Sequence, residues 1–223
     1  MSIQSVLNVV YLAAGLLVAV LIHEYAHAWV AVRLGDRTPK LHGRLTVDPR
    51  RHLDPFGSYI LPAITLLPIL FGKEMFFPVF AYAKPQEVNP WSLRKPDRDV
   101  VLIALAGPAA NVFLAAVFGA LFRAACGAQQ VARAAAAFTV VNVIMAVIHV
   151  VPLPPFDGSR ILARFLPSRA REVYVSWEPY GALFVIVIFF IFAGPVTGFV
   201  NAVGGGLLDA VTGKGCPATT FLH

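Results

Sequence analysis

The chain has 223 residues, 58% of them hydrophobic and 13% charged, with a mean hydropathy of +0.72. A soluble domain carries about 25% charged residues, so the composition excludes an ordinary soluble fold and indicates a membrane protein. The formal net charge of +6 does not indicate nucleic acid, because the lysines and arginines lie in short loops beside apolar runs, the distribution that sets membrane topology.

The first apolar segment spans residues 6–34 and ends at Gly35. No basic region precedes it, and it contains HEYAH at 23–27, so it reads as a retained segment rather than a cleaved signal peptide. Arg33, Arg37, Lys40, Arg44, Arg50 and Arg51 cluster around and after its end, which places that side in the cytoplasm. A second apolar segment at 56–71 contains Pro62 and Pro68. A shorter run at 75–83 leads into a second basic loop with Lys84, Arg94, Lys95 and Arg98. Both flanks are basic, so the chain returns to the side it left, either as a bent helix with an irregular return or as a re-entrant loop. Non-helical backbone at membrane depth survives only where protein or a wet cavity covers it.

Segments at 100–125 and 134–151 form a transmembrane hairpin whose short link carries Arg123 and Arg133. PLPPFDGSRILARFLPSRAR follows at 152–171, with Arg160, Arg164, Arg169 and Arg171. A last apolar stretch at 180–200 has Gly194 and Pro195 as its kink. Fourteen of the eighteen basic residues thus fall in three loops on one face, with the N-terminus on the other. Residues 201–223 read as a short helix and a tail. Cys126 and Cys216 belong to no CxxC pair and indicate neither a disulfide framework nor a thiolate metal site. The expectation is an all-α membrane protein, one domain over 1–223, formed as a bundle of five to six transmembrane segments with a membrane-associated β-hairpin or re-entrant loop.

On a helix, His23 and His27 project from one face a turn apart, so two imidazoles can grip one metal ion. Glu24 lies about 100° around the helix, within reach of a metal-bound water. Zinc takes nitrogen and carboxylate ligands tetrahedrally and lowers the pKa of bound water to about 7, so the spacing points to metal-assisted hydrolysis. The competing reading is a satisfied structural histidine pair. Ionisable groups at membrane depth cost several kcal/mol unless paired, metal-bound or wet, which favours function.

Two histidines leave room for a third protein ligand. Asp36, Asp48, Asp54, Asp97 and Asp99 sit in basic loops and fit solvated ion pairs. Asp157 differs, because it follows an apolar span in PLPPFDG, where prolines break the helix and Gly158 permits a turn that could aim the carboxylate inward. An Asp-Gly surface turn is the alternative. At about 1.5 Å per residue, His27 and His23 lie roughly 9 to 15 Å inside the basic boundary, and Asp157 approaches the same face. His42 and His52 lie in the basic loop and read as solvated or at the headgroup boundary.

HEYAH in one apolar helix and PLPPFDG after a later one resemble the site-2 protease family of intramembrane zinc metalloproteases. GD at 35–36, GRLTVDP at 43–49, DPFGSYILP at 54–62, AKP at 83–85 and AGPAAN at 106–111 are similar to its compact prokaryotic branch without PDZ or CBS domains. The resemblance covers most of residues 20–165. It implies one zinc ion held by His23, His27 and Asp157, with Glu24 as general base. It also implies cleavage within or near the transmembrane helix of a membrane-protein substrate, in the cell membrane of a prokaryote, with the active site nearer the cytoplasmic face. The family usually has asparagine eight residues before the aspartate, where this chain has His149. Oxyanion or substrate donor, extra metal ligand, or packed histidine beside a carbonyl are its three readings. Asn111 either contacts substrate or joins helices.

A transmembrane substrate must unwind before cleavage. Residues 41–47 and 75–83 are the two candidate edges for receiving it by strand addition, with simple interfacial loops as the alternative. Gly107, Pro108, Gly194 and Pro195 are candidates for helix movement. A metal transporter or sensor, and an inactive relative that binds transmembrane partners, are the competing functions.

Overall fold

The computed structural model describes residues 2–73, 78–84 and 86–213, with backbone alone at 188–190 and 193. α1, Ile3–Leu34, starts where the Ser2 hydroxyl accepts from the Ser5 N–H. It ends at Gly35, whose φ of 117° is left-handed backbone that a Cβ would disfavour. Two single turns, α2 (Thr38–Leu41) and α3 (Pro49–His52), occupy the basic loop that follows. Residues 41–47, one of the two candidate edges, form no strand: they pass from α2 through Gly43, at φ 67°, into bends.

The chain then enters the apolar layer through a π-helical turn, Pro55–Ile60, continuous with α4, Leu61–Leu70. Together they give about 24 Å of helix at 1.5 Å per residue, short of a hydrocarbon core of about 30 Å. After a turn at Gly72 the described return, residues 78–83, is extended. Residues 74–77, of which 75–77 belong to the second candidate edge, and Pro85 of the AKP stretch lie outside the described residues. The return meets its own entry, with Leu53 bridging Ala83 antiparallel and the Tyr82 N–H donating to the Gly57 carbonyl at 3.2 Å. A Cβ at Gly57 would fall 2.5 Å from the Tyr82 ring, so glycine is what allows the approach. This helix and its non-helical return fit both expected alternatives, a bent helix with an irregular return and a re-entrant loop, and protein covers the return, with Val79, Phe80, Ala81 and Tyr82 all buried. The bridge is isolated, and no sheet forms among the described residues.

α5 (Pro96–Ala124) and α6 (Gln129–His149) follow, then α7 (Asp157–Phe165), α8 (Ser168–Val175), α9 (Gly181–Ile191) and α10 (Ala193–Thr212). Among the described residues three helices, α1, α5 and α6, are long and apolar enough to cross a bilayer; the other apolar helices are shorter or more polar. The last stretch breaks at Phe192 rather than kinking at Gly194 and Pro195. Pro195 lies in the first turn of α10, where its missing N–H costs no helical bond. α10 runs to Thr212, longer than the short helix expected, and the tail from 214 is outside the described residues.

α1, α5 and α6 pack against one another through small residues. Ala19, Ala28, Ala31 and Ala115 have no exposed surface, and Gly15 brings α1 against Phe138. Small side chains let apolar helices approach closely where burial against lipid gives little net gain. Around this seam Leu16, Val20, Val141, Met145 and Ile148 fill the core.

The three basic loops meet at one end of the bundle. Asn89 N–H donates to Asp36 Oδ2 at 2.9 Å, Arg94 N–H to the Leu34 carbonyl at 3.4 Å, and Arg160 Nη2 to the Gln86 carbonyl at 3.1 Å. Arg164 pairs with Asp97. The acids here are not uniformly the solvated ion pairs expected. Asp36 is fully buried and accepts two backbone N–H groups, and Asp48 and Asp54 cap the turns that follow them. Asp99 is buried too, beside Arg98 at 2.9 Å. His42 is exposed as expected, but His52 is fully buried and donates from Nε2 to the Thr46 carbonyl at 2.7 Å.

Candidate metal centre

His23 and His27 stand one turn apart on the buried face of α1, their rings edge to face with centroids 4.6 Å apart. Each ring hands its Nδ1 proton to α5. His23 donates to Asn111 Oδ1 at 2.6 Å and His27 to the Ile103 carbonyl at 2.6 Å. A neutral imidazole that donates from one nitrogen presents a lone pair on the other. The two Nε2 atoms lie 3.0 Å apart, so two lone pairs face each other.

Asp157 completes the cluster from α7. Its Oδ2 is 3.0 Å from His23 Nε2 and its Oδ1 is 3.3 Å from His27 Nε2. The carboxylate reaches this depth because α6 stops at His149 before Pro152, and the 150–156 turn folds back with Phe156 buried in the core. Gly158 lies so close to the Val150 carbonyl that a Cβ there would collide with it, so the Asp-Gly pair is a packing requirement rather than a surface turn.

The donor set fits zinc. Bonds of about 2.0–2.1 Å at tetrahedral angles separate ligand atoms by roughly 3.3–3.4 Å, close to the 3.0–3.3 Å found between these atoms. Three convergent acceptors, with both Nδ1 protons already committed elsewhere, form an arrangement that a cation satisfies and a neutral apolar pocket does not. Among the described residues His23, His27 and Asp157 are the one group with this geometry.

Glu24 is 7% exposed on α1 beside His23, and its carboxylate has no hydrogen bond among the described residues. Asn111 is fully buried. It donates from Nδ2 to the Ala19 carbonyl at 3.2 Å and to Asn142 Oδ1 at 2.9 Å, and Asn142 donates to the Phe138 carbonyl. It therefore joins α1, α5 and α6 and orients His23; no amide donor is left for a substrate. His149 Nδ1 donates to Asp157 Oδ2 at 3.0 Å, and Nε2 lies 3.3 Å from the Ala81 carbonyl on the return strand. Its two ring nitrogens thus face the Asp157 carboxylate and a carbonyl of the return, and its ring lies against the cluster, with its centroid 4.2 Å from that of His23.

Gly107 was named from sequence for helix movement, and its placement shows something else. A Cβ on Gly107 would collide with Nε2 of both His23 and His27. The backbone of α5 closes one side of the cluster at the point where the ligand atoms converge. Pro108 follows it and cannot donate to the Ala104 carbonyl four residues back, which loosens the helix beside the Ile103 carbonyl that receives the His27 proton.

Residues 11–136 match the family model for peptidase family M50. The chain is 35% identical over 188 residues to "Putative zinc metalloprotease YwhC" of Bacillus subtilis, covering 80% of each chain. It is 31% identical over 182 residues to "Putative zinc metalloprotease Rip2" of Mycobacterium tuberculosis (strain H37Rv), covering 81% of this chain and 66% of that one. The Rip2 of Mycolicibacterium smegmatis is 29% identical over 177 residues, with coverages of 78% and 64%. No solved structure matches. The chain belongs to peptidase family M50, the site-2 protease family that its HEYAH and PLPPFDG stretches resemble.

Proposed function

We propose that the chain is an intramembrane zinc endopeptidase, a single domain in a prokaryotic cell membrane, that hydrolyses a peptide bond within or near a transmembrane segment of a membrane-protein substrate. His23, His27 and Asp157 are the zinc ligands and Glu24 is the general base. The observation that carries this reading is the pair of facing Nε2 atoms, whose Nδ1 protons are already given to Asn111 and Ile103.

When bound, zinc supplies Lewis-acid polarisation of water and of the scissile carbonyl. Glu24, unpaired and next to His23, takes the proton of the attacking water and returns it to the leaving amine. Asn111 and the Ile103 carbonyl hold the two rings in the Nδ1–H tautomer, and His149 orients Asp157. On this reading the site lies nearer the basic, cytoplasmic end, since Asp157 begins a helix whose first turn carries Arg160. Residues 78–83 lie beside the cluster, with the Ala81 carbonyl 3.3 Å from His149 Nε2, and because Val79, Phe80, Ala81 and Tyr82 are buried, receiving an unwound substrate strand there requires the return to move aside. Polar groups gather at one depth instead of following a path through the bundle, which argues against a transporter.

The test is metal analysis together with cleavage of a membrane-anchored substrate. Wild type is expected to bind one zinc and to cleave. Glu24→Gln is expected to keep the zinc and lose turnover about 10²- to 10⁴-fold. A wild-type protein that binds no zinc, or a Glu24→Gln protein that cleaves as well as wild type, overturns the proposal.

A further inference from the structure

A cavity of about 280 Å³ opens at the basic end of the bundle, between the loop after α1 and the stretch that follows the return strand. Arg44, Arg50, Arg51 and Lys84 line it. Arg50, Arg51 and Lys84 have no ion pair among the described residues. The one carboxylate in its wall, Glu87, is 76% exposed and lies 3.7 Å from His42. Gln86 also lines the cavity; it is 5% exposed, and neither its amide nitrogen nor its amide oxygen has a hydrogen-bond partner among the described residues. A buried amide with both ends unsatisfied is a standing cost that a ligand with an acceptor and a donor removes.

We infer that this cavity is a binding site for a phosphate group that also bears a hydroxyl, as in the headgroup of an anionic phospholipid. Phosphate oxygens take the guanidinium and ammonium donors and the Gln86 Nε2 protons, and the headgroup hydroxyl donates to Gln86 Oε1. The cavity is slightly smaller than the roughly 300 Å³ at which whole-ligand pockets begin, the scale of a headgroup with its chains left in the bilayer. It also lies where lipid phosphates do. Lys84 follows the residue at which the return strand rejoins Leu53, and the basic loop next to it is the flank that meets an anionic leaflet. Occupancy braces residues 44–51 against 84–87, and the Gln86 carbonyl already holds Arg160, three positions after Asp157.

The test uses the full chain, purified in detergent and stripped of lipid, with retention of added phosphatidylglycerol or phosphatidylcholine read by native mass spectrometry. One phosphatidylglycerol and no phosphatidylcholine are expected on wild type. R50Q/R51Q is expected to weaken retention about tenfold or more and Gln86→Leu about threefold. R37Q/R169Q, which removes two charges of the same face that do not line the cavity, is expected to change retention less than about twofold. Unfolding temperature and zinc content check that each variant is folded, and R50K/R51K is expected to restore retention. Displacement of the lipid by millimolar inorganic phosphate assigns the site to the free ion; persistence assigns it to the lipid. Equal losses in R37Q/R169Q and R50Q/R51Q, equal retention of phosphatidylcholine, or binding of an acidic peptide but not of phosphatidylglycerol would overturn the inference.

Discussion

Two regions of this molecule bury histidines, and they do so differently. His52, in the basic loop, gives its Nε2 proton to the Thr46 carbonyl, and its Nδ1 has no hydrogen-bond partner among the described residues. His23 and His27 also give one proton each to α5, but their second nitrogens face each other and the Asp157 carboxylate. Burial and a committed proton are common to all three rings. What distinguishes a metal centre is the convergence of the remaining lone pairs, and that depends on which backbone comes close enough to leave them nothing else.

The comparison breaks most sharply at Gly107. Gly107→Ala places a methyl against both Nε2 atoms, so zinc content is expected to fall from one ion to near none, and turnover with it. His52→Gln, the matched change in the other region, is expected to leave zinc content at one. Metal analysis of both proteins, with unfolding temperature as the folding check, decides the matter; a fully loaded Gly107→Ala protein would mean that the convergence is not what binds the ion. A smaller effect is expected from Asn111→Ala, which frees His23 to change tautomer. Loss of an outer hydrogen bond to a metal-binding histidine lowers metal affinity about 10- to 100-fold, measurable by competition with a chelator.

The smallest expected effect belongs to His52 and follows pH. Burial holds its pKa below the ordinary 6.5, so the folded loop binds fewer protons than the unfolded one. Its contribution is therefore complete above about pH 6.5 and is lost as pH falls from there toward the lower folded value. Protection against amide exchange in residues 44–54, measured relative to the intrinsic rate at each pH, is expected to fall over that range, and the dependence is expected to vanish in His52→Gln. An unchanged dependence in that variant would assign it to another group.

The i, i+4 histidines and the aspartate after the proline-rich turn were legible because each rests on local chemistry: helical spacing in one case, helix termination in the other. Gly107 was legible as a residue but not as a contact. Glycine is ordinary in membrane helices, and what demands it here is the approach of rings carried by α1, eighty residues earlier. Asn111 and His149 were singled out as polar residues at depth, but which partner satisfied them depended on how α1, α6 and the return strand packed. The loop acids were misread in part for a reason that was visible. Asp48-Pro49 and Asp54-Pro55 carry the signature of a capped helix start, an acid followed by proline at the first helical position, and charge alone drew attention away from it. The long helices could be traced from hydropathy; the return at 78–83 was legible only as one of two alternatives, because a stretch this short carries no period long enough to distinguish it from a loop.

One consequence of the cluster concerns the whole chain. His23 and Asp157 are 134 positions apart in sequence, so on the proposed ligand set a bound ion works as a reversible crosslink that closes a very long loop and withdraws conformational freedom from the unfolded state. Loading and folding are then thermodynamically linked, and the melting temperature is expected to rise with free zinc. The same atoms that prepare hydrolysis thereby rivet the first helix to the segment after the fourth long apolar stretch.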